Sequence, residues 1–309
     1  MSEKIVSPNH LAMEKAARAI RSGGLVAIPT ETVYGLAADA TNGEAVARIF
    51  AAKGRPNFNP LISHVSSMEM AESLAVFSPM ALELAERFWP GPLTLVLPKS
   101  KNCSVSDLAT AGLDSIAIRA PSDVTARGLI EATKCPLAAP SANRSEQLSP
   151  TTAQHVADEL GNKVDLILDG GPCQSGVEST VISLIGDQPT LLRPGALSRL
   201  EIEASTGPLA APSGEIVSPG MMRRHYAPNA KLRLNVTKPE SDEAYLGFGQ
   251  TSFKVAANLS NSGDLIEAAA NLFAMLRILD LQYGKIAIAP IPNEGLGEAI
   301  NDRLNRAAV

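Results

Sequence analysis

Apolar residues recur at helical spacing through Leu11, Ala16, Ala17 and Ile20, and the run halts at Gly23 and Gly24. The unbroken stretch LVAIPT that follows reads as a buried strand. The same alternation continues: Val46, Ile49 and Phe50 predict a helix over 43–53 with Lys53 at its C-terminal end, before PLISHV resumes as strand. Further helices are expected at 79–88, 123–132 and 151–160, and strands at 93–97, 115–119, 136–139, 164–168, 178–185 and 189–193. Some of these strands follow one another with no helix between them, which points to a twisted mixed sheet flanked by helices rather than a purely parallel one. Residues 206–220, TGPLAAPSGEIVSPG, are rich in proline and glycine without periodicity, a composition that suits an extended connection. Beyond it, strands at 231–235, 244–248, 254–257 and 285–289 surround a helix at 263–282, with a last helix from about 295. That order predicts a small Rossmann-like parallel α/β unit. The expected division is a catalytic domain over 1–206, a connection over 207–229 and a C-terminal domain over 230–309.

Composition narrows the function. Hydrophobic residues make up 45% of the 309 and charged residues 19%, as in an ordinary globular chain. Lys and Arg total 27 against 32 Asp and Glu, so a broad surface that neutralises nucleic-acid phosphates is disfavoured, while a local basic pocket is not. Cys103, Cys135 and Cys173 stand far apart with no CxxC pair, which suggests neither a zinc site nor a disulfide framework and fits a reducing cytosol. With no secretory h-region and no run of 18 apolar residues, a cytoplasmic protein with no membrane partner is expected.

Several polar groups cluster at predicted strand ends. Lys53 and Arg55 stand two apart in AAKGRPNFNPLISHV, where Pro56 turns the chain out of helix; they could face an anion or simply suit the end of a helix dipole. Ser141 and Asn143 follow the strand at 136–139, on the edge where α/β sheets bind ligands, although an ordinary Ser/Asn turn reads the same way. Ser149 before Pro150 looks more like an N-cap than a ligand. The glycine-rich DGGPCQSGVESTV offers backbone amides ahead of Ser179 but lacks a Walker ending. Arg119 and Arg193 each close a strand, as anion-binding arginines do and as surface ion pairs also do. Thr30, Thr32 and Tyr34 form a polar rim, and His64 alternates with Ile62 on its strand; His10 and His155 look passive. No GxSxG or HExxH motif is present.

Taken together and in this order, IPTETVYGL, KGRPNFNPLISHV, IAIRAPS, APSANRS, SGVESTV and LLRPG resemble the YrdC/Sua5 family, over roughly residues 8–205. The family's KxR and SxN elements correspond to Lys53-Gly54-Arg55 and Ser141-Ala142-Asn143. SPGMMRRHYAP, residues 218–228, is similar to the segment that Sua5-type members carry before their C-terminal domain; His225 and Tyr226 match, while Met222-Arg223 replaces the usual Lys-Tyr.

The resemblance implies a nucleotidyltransferase that makes threonylcarbamoyl-AMP and pyrophosphate from L-threonine, bicarbonate and ATP. The product would feed a transfer machinery that makes N6-threonylcarbamoyladenosine at tRNA position 37. It implies ATP binding by Lys53, Arg55, Asn59, Ser115, Ser141, Asn143, Ser149, Arg193, His225 and Tyr226, with Lys53 and Arg55 catalytic. It implies threonine binding by Thr32, His64, Arg119, Ser179 and the Ala139 backbone. Mg2+ would be held mainly by the phosphates, with no protein side chain as ligand, and the 218–228 segment would cover the cleft. Two rival readings are a tRNA- or double-stranded-RNA-binding module without turnover, which the acidic balance opposes, and a phosphate-handling lyase or isomerase, for which no acidic metal site is found.

Overall fold

The computed structural model describes residues 4–56, 58–212 and 225–308. In chain order the first part runs β1 (Ile5–Val6), α1 (His10–Arg21), β2 (Val26–Ile28), β3 (Gly35–Asp39), α2 (Gly43–Lys53), β4 (Ile62–His64), α3 (Met68–Leu74), α4 (Pro79–Phe88), β5 (Leu93–Pro98), β6 (Ser115–Arg119), α5 (Val124–Thr133), β7 (Leu137–Ala138), α6 (Ala153–Leu160), β8 (Leu166–Leu168), β9 (Thr180–Ser183), β10 (Thr190–Arg193) and α7 (Arg199–Thr206). Among the described residues these strands form one mixed sheet in the order β1-β8-β2-β3-β7-β4-β6-β5-β9-β10. The second part comprises β11 (Lys231–Arg233), β12 (Ala244–Gly247), β13 (Ala257–Asn258), α8 (Leu265–Gln282), β14 (Lys285–Ile288) and α9 (Leu296–Ala307). Its strands pair in parallel in the order β11-β14-β12-β13.

Helix α1 forms where the apolar spacing predicts: Asn9 caps it by accepting from the Ala12 amide, and Ala12, Ala16, Ala17 and Ile20 are buried. In α2, Asn42 accepts from the Glu44 and Ala45 amides, and Gly54 ends the helix in the left-handed region at φ 63°. Lys53 is thereby the last helical residue. The predicted strand at 254–257 is instead Ala257–Asn258, and β1, β3, α3 and α7 were not foreseen. Strand β3 is GLAAD and lacks the branched residues that mark strands. Helices α3 and α7 are seven and eight residues long, too short to build a clear period.

The central strands carry the site. His64 on β4 lies opposite Arg119 on β6, Leu95 on β5 opposite Ile118, Thr94 opposite Val181 on β9, and Val181 opposite Arg193 on β10. His64, Arg119, Thr94 and Arg193 therefore share one face on four strands, with Val181 of β9 between the last two. Beside them on that face Ile62, Val96, Ala117, Val181 and Leu192 make a small apolar cluster of their own. Two glycines let the neighbouring chain come close. A Cβ at Gly195 would meet the backbone of Glu178, Ser179 and Thr180 at 2.4 Å, so only glycine allows the turn after Arg193 to lie on the start of β9. A Cβ at Gly176, already at φ +68°, would meet the Ala269 carbonyl of α8 at 2.4 Å. The second part of the chain thus packs directly behind the SGVEST segment.

Candidate active site

The loops that follow β2, α2, β7 and β10 close over this face of the sheet. The pocket they enclose is lined by Thr32, Arg55, His64, Arg119, Arg193 and Tyr226, together with Ala139, Ser141, Glu178, Ser179 and His225. Its free space is about 50 Å³, room for a water or two.

Arg119 is buried and held from three sides. Its Nε donates to the Gly91 carbonyl at 3.2 Å and Nη1 to Thr32 Oγ1 at 2.9 Å, while Nη2 lies 2.7 Å from the Glu31 carboxylate. A guanidinium has five N–H donors, so at least two remain beyond these contacts for a ligand carboxylate. Burial would raise the Glu31 pKa, but Arg119 outweighs it and holds the group below its ordinary value. Thr32 Oγ1 also bonds Thr30 Oγ1 at 2.8 Å, which fixes the rim. His64 sits beside Arg119 with Nδ1 3.3 Å from the Ile62 carbonyl; since a carbonyl only accepts, that nitrogen carries the proton. Burial and then the Arg119 charge push its pKa down to about 3, so the ring is neutral at physiological pH.

At the other end, Arg193 donates Nε and Nη2 to the Ser179 carbonyl at 3.1 and 2.9 Å, and Nη2 also to Ser179 Oγ at 3.1 Å. Ser179 Oγ in turn bonds Thr94 Oγ1 at 2.8 Å. Arg55 is half-buried, anchored by Nε to the Asn59 carbonyl at 3.3 Å and by Nη2 to the Pro60 carbonyl at 3.1 Å. Burial, and then the Arg193 charge, lower its pKa to about 10, where it is still protonated at neutral pH. Two cations, one from a loop and one from the end of a strand, therefore face one space. His225 stands against Tyr226 with ring centroids 3.9 Å apart and nearly perpendicular planes. Burial, partly offset by Glu178, takes the His225 pKa down to about 3.

Other expected ligands lie behind the wall. Lys53 Nζ donates to the Ser141 carbonyl at 2.6 Å and the Asn143 carbonyl at 2.5 Å, so it braces the SxN loop. Burial first, and then Arg55, hold its pKa well below the usual lysine value. Asn143 spends its amide on the Arg144 and Gln147 carbonyls at 2.8 and 2.7 Å. Asn59 is buried under Arg55. The Ala139 N–H is taken by the Ile62 carbonyl at 3.1 Å, so only its own carbonyl can meet a ligand. Ser149 is not an N-cap: Thr152 caps α6, and the buried Ser149 hydroxyl donates to Glu178 at 2.5 Å. Ser115 opens β6, four residues and about 13 Å of strand before Arg119, away from the other residues. Of the segment 218–228, residues 218–224, with Met222 and Arg223, lie outside the described residues.

Sequence reasoning missed three groups. Glu178 puts a carboxylate in the pocket wall and Glu31 puts another behind Arg119, and each is paired to an arginine. Glu178 meets Arg303, which comes from α9. The PTETVYG and GVEST segments display both acids, but nothing local shows their partners.

Because His64 and His225 are neutral when folded and titrate near 6.5 when unfolded, unfolding at lower pH takes up protons, and stability falls with acid from about pH 6.5 downward. Each group contributes a loss of up to about 1.4 kcal/mol per pH unit over that window. Melting temperatures measured between pH 7 and 4.5 are expected to drop, and His64→Gln should make the drop shallower; an unchanged slope would refute the buried neutral ring.

Known families match the whole of this arrangement. A Sua5-YciO-YrdC family model, described as telomere recombination, matches residues 18–195, and the C-terminal domain model of threonylcarbamoyl-AMP synthase matches 197–309. The chain is 45% identical to the threonylcarbamoyl-AMP synthase of Pyrococcus abyssi, covering 95% of this chain and 93% of that one. It is 40% identical to the Bacillus subtilis protein of the same name, covering 98% and 94%. The crystal structure of P. abyssi Sua5 complexed with L-threonine superposes with a TM-score of 0.88 at 42% identity, covering 96% of this chain and 94% of that one.

Proposed function

The chain belongs to the Sua5-YciO-YrdC family and makes threonylcarbamoyl-AMP as a nucleotidyltransferase, and from that premise we propose how its residues divide the work. L-Threonine, bicarbonate as carbon dioxide, and ATP are the substrates. The amine of threonine attacks carbon dioxide and loses a proton to give a carbamate; a carbamate oxygen then attacks the α-phosphorus and pyrophosphate leaves. Two anions must be held together long enough to react.

The observation that carries this reading is that Arg55, Arg119 and Arg193 line one pocket; we assign Arg119 to threonine and Arg55 and Arg193 to the phosphates. Arg119 takes the threonine carboxylate on two of its remaining N–H groups, with Thr32, His64, Ser179 and the Ala139 carbonyl around the amino acid. Arg55 and Arg193 take the triphosphate, while Ser141 faces the nucleotide and Lys53, Asn59, Asn143 and Ser149 hold the loops that shape its site. Ser115 borders the same sheet face, which assigns it to the far end of the nucleotide. A charge 4 Å from a phosphate is worth about 1 kcal/mol in water but about 4 at an effective dielectric of 20, so enclosure matters more than the number of cations. His225 and Tyr226 belong to the wall of this pocket, where they would face the bound nucleotide.

Glu178 in the pocket wall and Glu31 behind Arg119 are both engaged by arginines, so a Mg2+ ion brought with ATP would be held mainly by the phosphates, whose charge it would offset. No described helix is long and apolar enough to cross a membrane; we place the reaction in the cytoplasm, where tRNA-modifying partners would consume the product. Incubation of the purified chain with threonine, ATP, Mg2+ and bicarbonate should yield a species with the mass of the carbamoyl adenylate, dependent on all three substrates. ATP turnover without that product would overturn the assignment.

A further inference from the structure

Helix α9 belongs to the C-terminal sheet, yet Arg303 on it is 1% exposed and reaches across to the pocket wall. Its Nε donates to Glu178 Oε2 at 2.8 Å and its Nη1 to the Pro194 carbonyl at 2.8 Å, with Asp302 at 2.8 Å on the same nitrogen. The guanidinium carbon lies 5.4 Å from the centre of the Tyr226 ring, and that ring stacks on Phe273 of α8 at 5.4 Å. The two acceptors are not arbitrary. Pro194 follows Arg193 directly, and Glu178 precedes Ser179, the residue on which Arg193 is anchored. Arg303 therefore grips the chain on both sides of that anchor. The other Glu178 oxygen accepts from Ser149, so the carboxylate is satisfied at both ends.

We propose that Arg303 is a positioning residue of the nucleotide site: by saturating Glu178 it keeps that carboxylate from capturing Arg193, and so leaves Arg193 free to hold phosphate. The C-terminal domain then contributes a part that the catalytic sheet lacks, and nucleotide binding depends on its docking. The alternative for Glu178 is close at hand. Burial alone would raise its pKa, but Arg303 and then Arg193 outweigh burial and bring it to about 2. With Arg303 gone, a buried anion would be left beside Arg193, which is anchored on the adjacent Ser179. At the threonine end Arg119, Thr32 and Glu31 share none of these contacts, and Ser179, common to both ends, keeps its bond to Thr94.

This inference rests on the reading of Arg193 as a phosphate ligand. Its test is calorimetric binding of Mg-ATP and of L-threonine to the full chain, wild type against Arg303→Met and the double variant Glu178→Gln/Arg303→Met. Arg303→Met is expected to weaken ATP about tenfold or more while leaving threonine within about twofold. The double variant, which removes the stranded charge, should recover most of the ATP affinity. It also serves as the readable variant should Arg303→Met alone fail to fold. Equal losses for both ligands, unchanged ATP binding, or a double variant no better than Arg303→Met would overturn the inference. Wild-type protein that binds no ATP would overturn the reading of the pocket itself.

Discussion

Replacing Arg119 by alanine is expected to raise the threonine concentration for half-maximal turnover by about a hundredfold or more, with a far smaller change for ATP. Each hydrogen bond to a charged partner contributes about 1.5–3 kcal/mol, and the fork offers two, so the loss of both corresponds to about 10² to 10⁴ in binding. Arginine is needed here for its shape as well as its charge, since Gly91 and Thr32 already accept two of its donors and Glu31 pairs with its charge at 2.7 Å. Lysine has three donors on one atom and cannot serve all these acceptors and a carboxylate together. Arg119→Lys should therefore recover only part of the loss. Removing Arg119 also strands the buried Glu31, so the cleaner variant is Glu31→Gln/Arg119→Ala. If that variant shifts the ATP and threonine requirements equally in steady-state assays, the assignment of Arg119 to threonine is wrong.

Much of this organisation is legible along the chain, for identifiable reasons. Helices α1 and α2 are amphipathic and capped, and the caps and the terminating glycine lie within a few residues of the pattern they end. Residues at strand ends, such as Arg119 and Arg193, can be found because the strand is readable and its last residue faces the loop layer. What cannot be read locally is which buried group meets which. Glu178 and Arg303 are 125 residues apart, and Lys53 and Asn143 are 90 apart. Motif position alone made Lys53 and Asn143 look like ligands and left Glu31 and Glu178 unremarked. The charges in the pocket are arranged by pairing, and pairing is a property of the folded sheet. Ser115 illustrates the same limit: it shares strand β6 with Arg119, but strand length separates them.

Lys53 tests that distinction most directly, and Lys53→Met is expected to lower turnover by about a hundredfold while also lowering the melting temperature. The Lys53 side chain joins the end of α2 to the Ser141 and Asn143 carbonyls, and its own carbonyl accepts from the Ser145 amide at 2.7 Å. Methionine fills the space but leaves the buried Asn143 carbonyl unpaired, at about 1–3 kcal/mol, and the half-buried Ser141 carbonyl without its partner. The loop that carries Ser141 into the pocket then loses its fixed position, and small misplacements of a reacting geometry have large effects on rate. Arginine should not substitute, because a planar fork cannot converge on two carbonyls that a single ammonium reaches at 2.6 and 2.5 Å. A lysine acting only as a phosphate contact would behave differently: its loss would raise the ATP requirement and leave the melting temperature alone. Measuring turnover, both half-saturation values and thermal unfolding on the same preparation separates the two roles, and an unchanged melting temperature would exclude the brace.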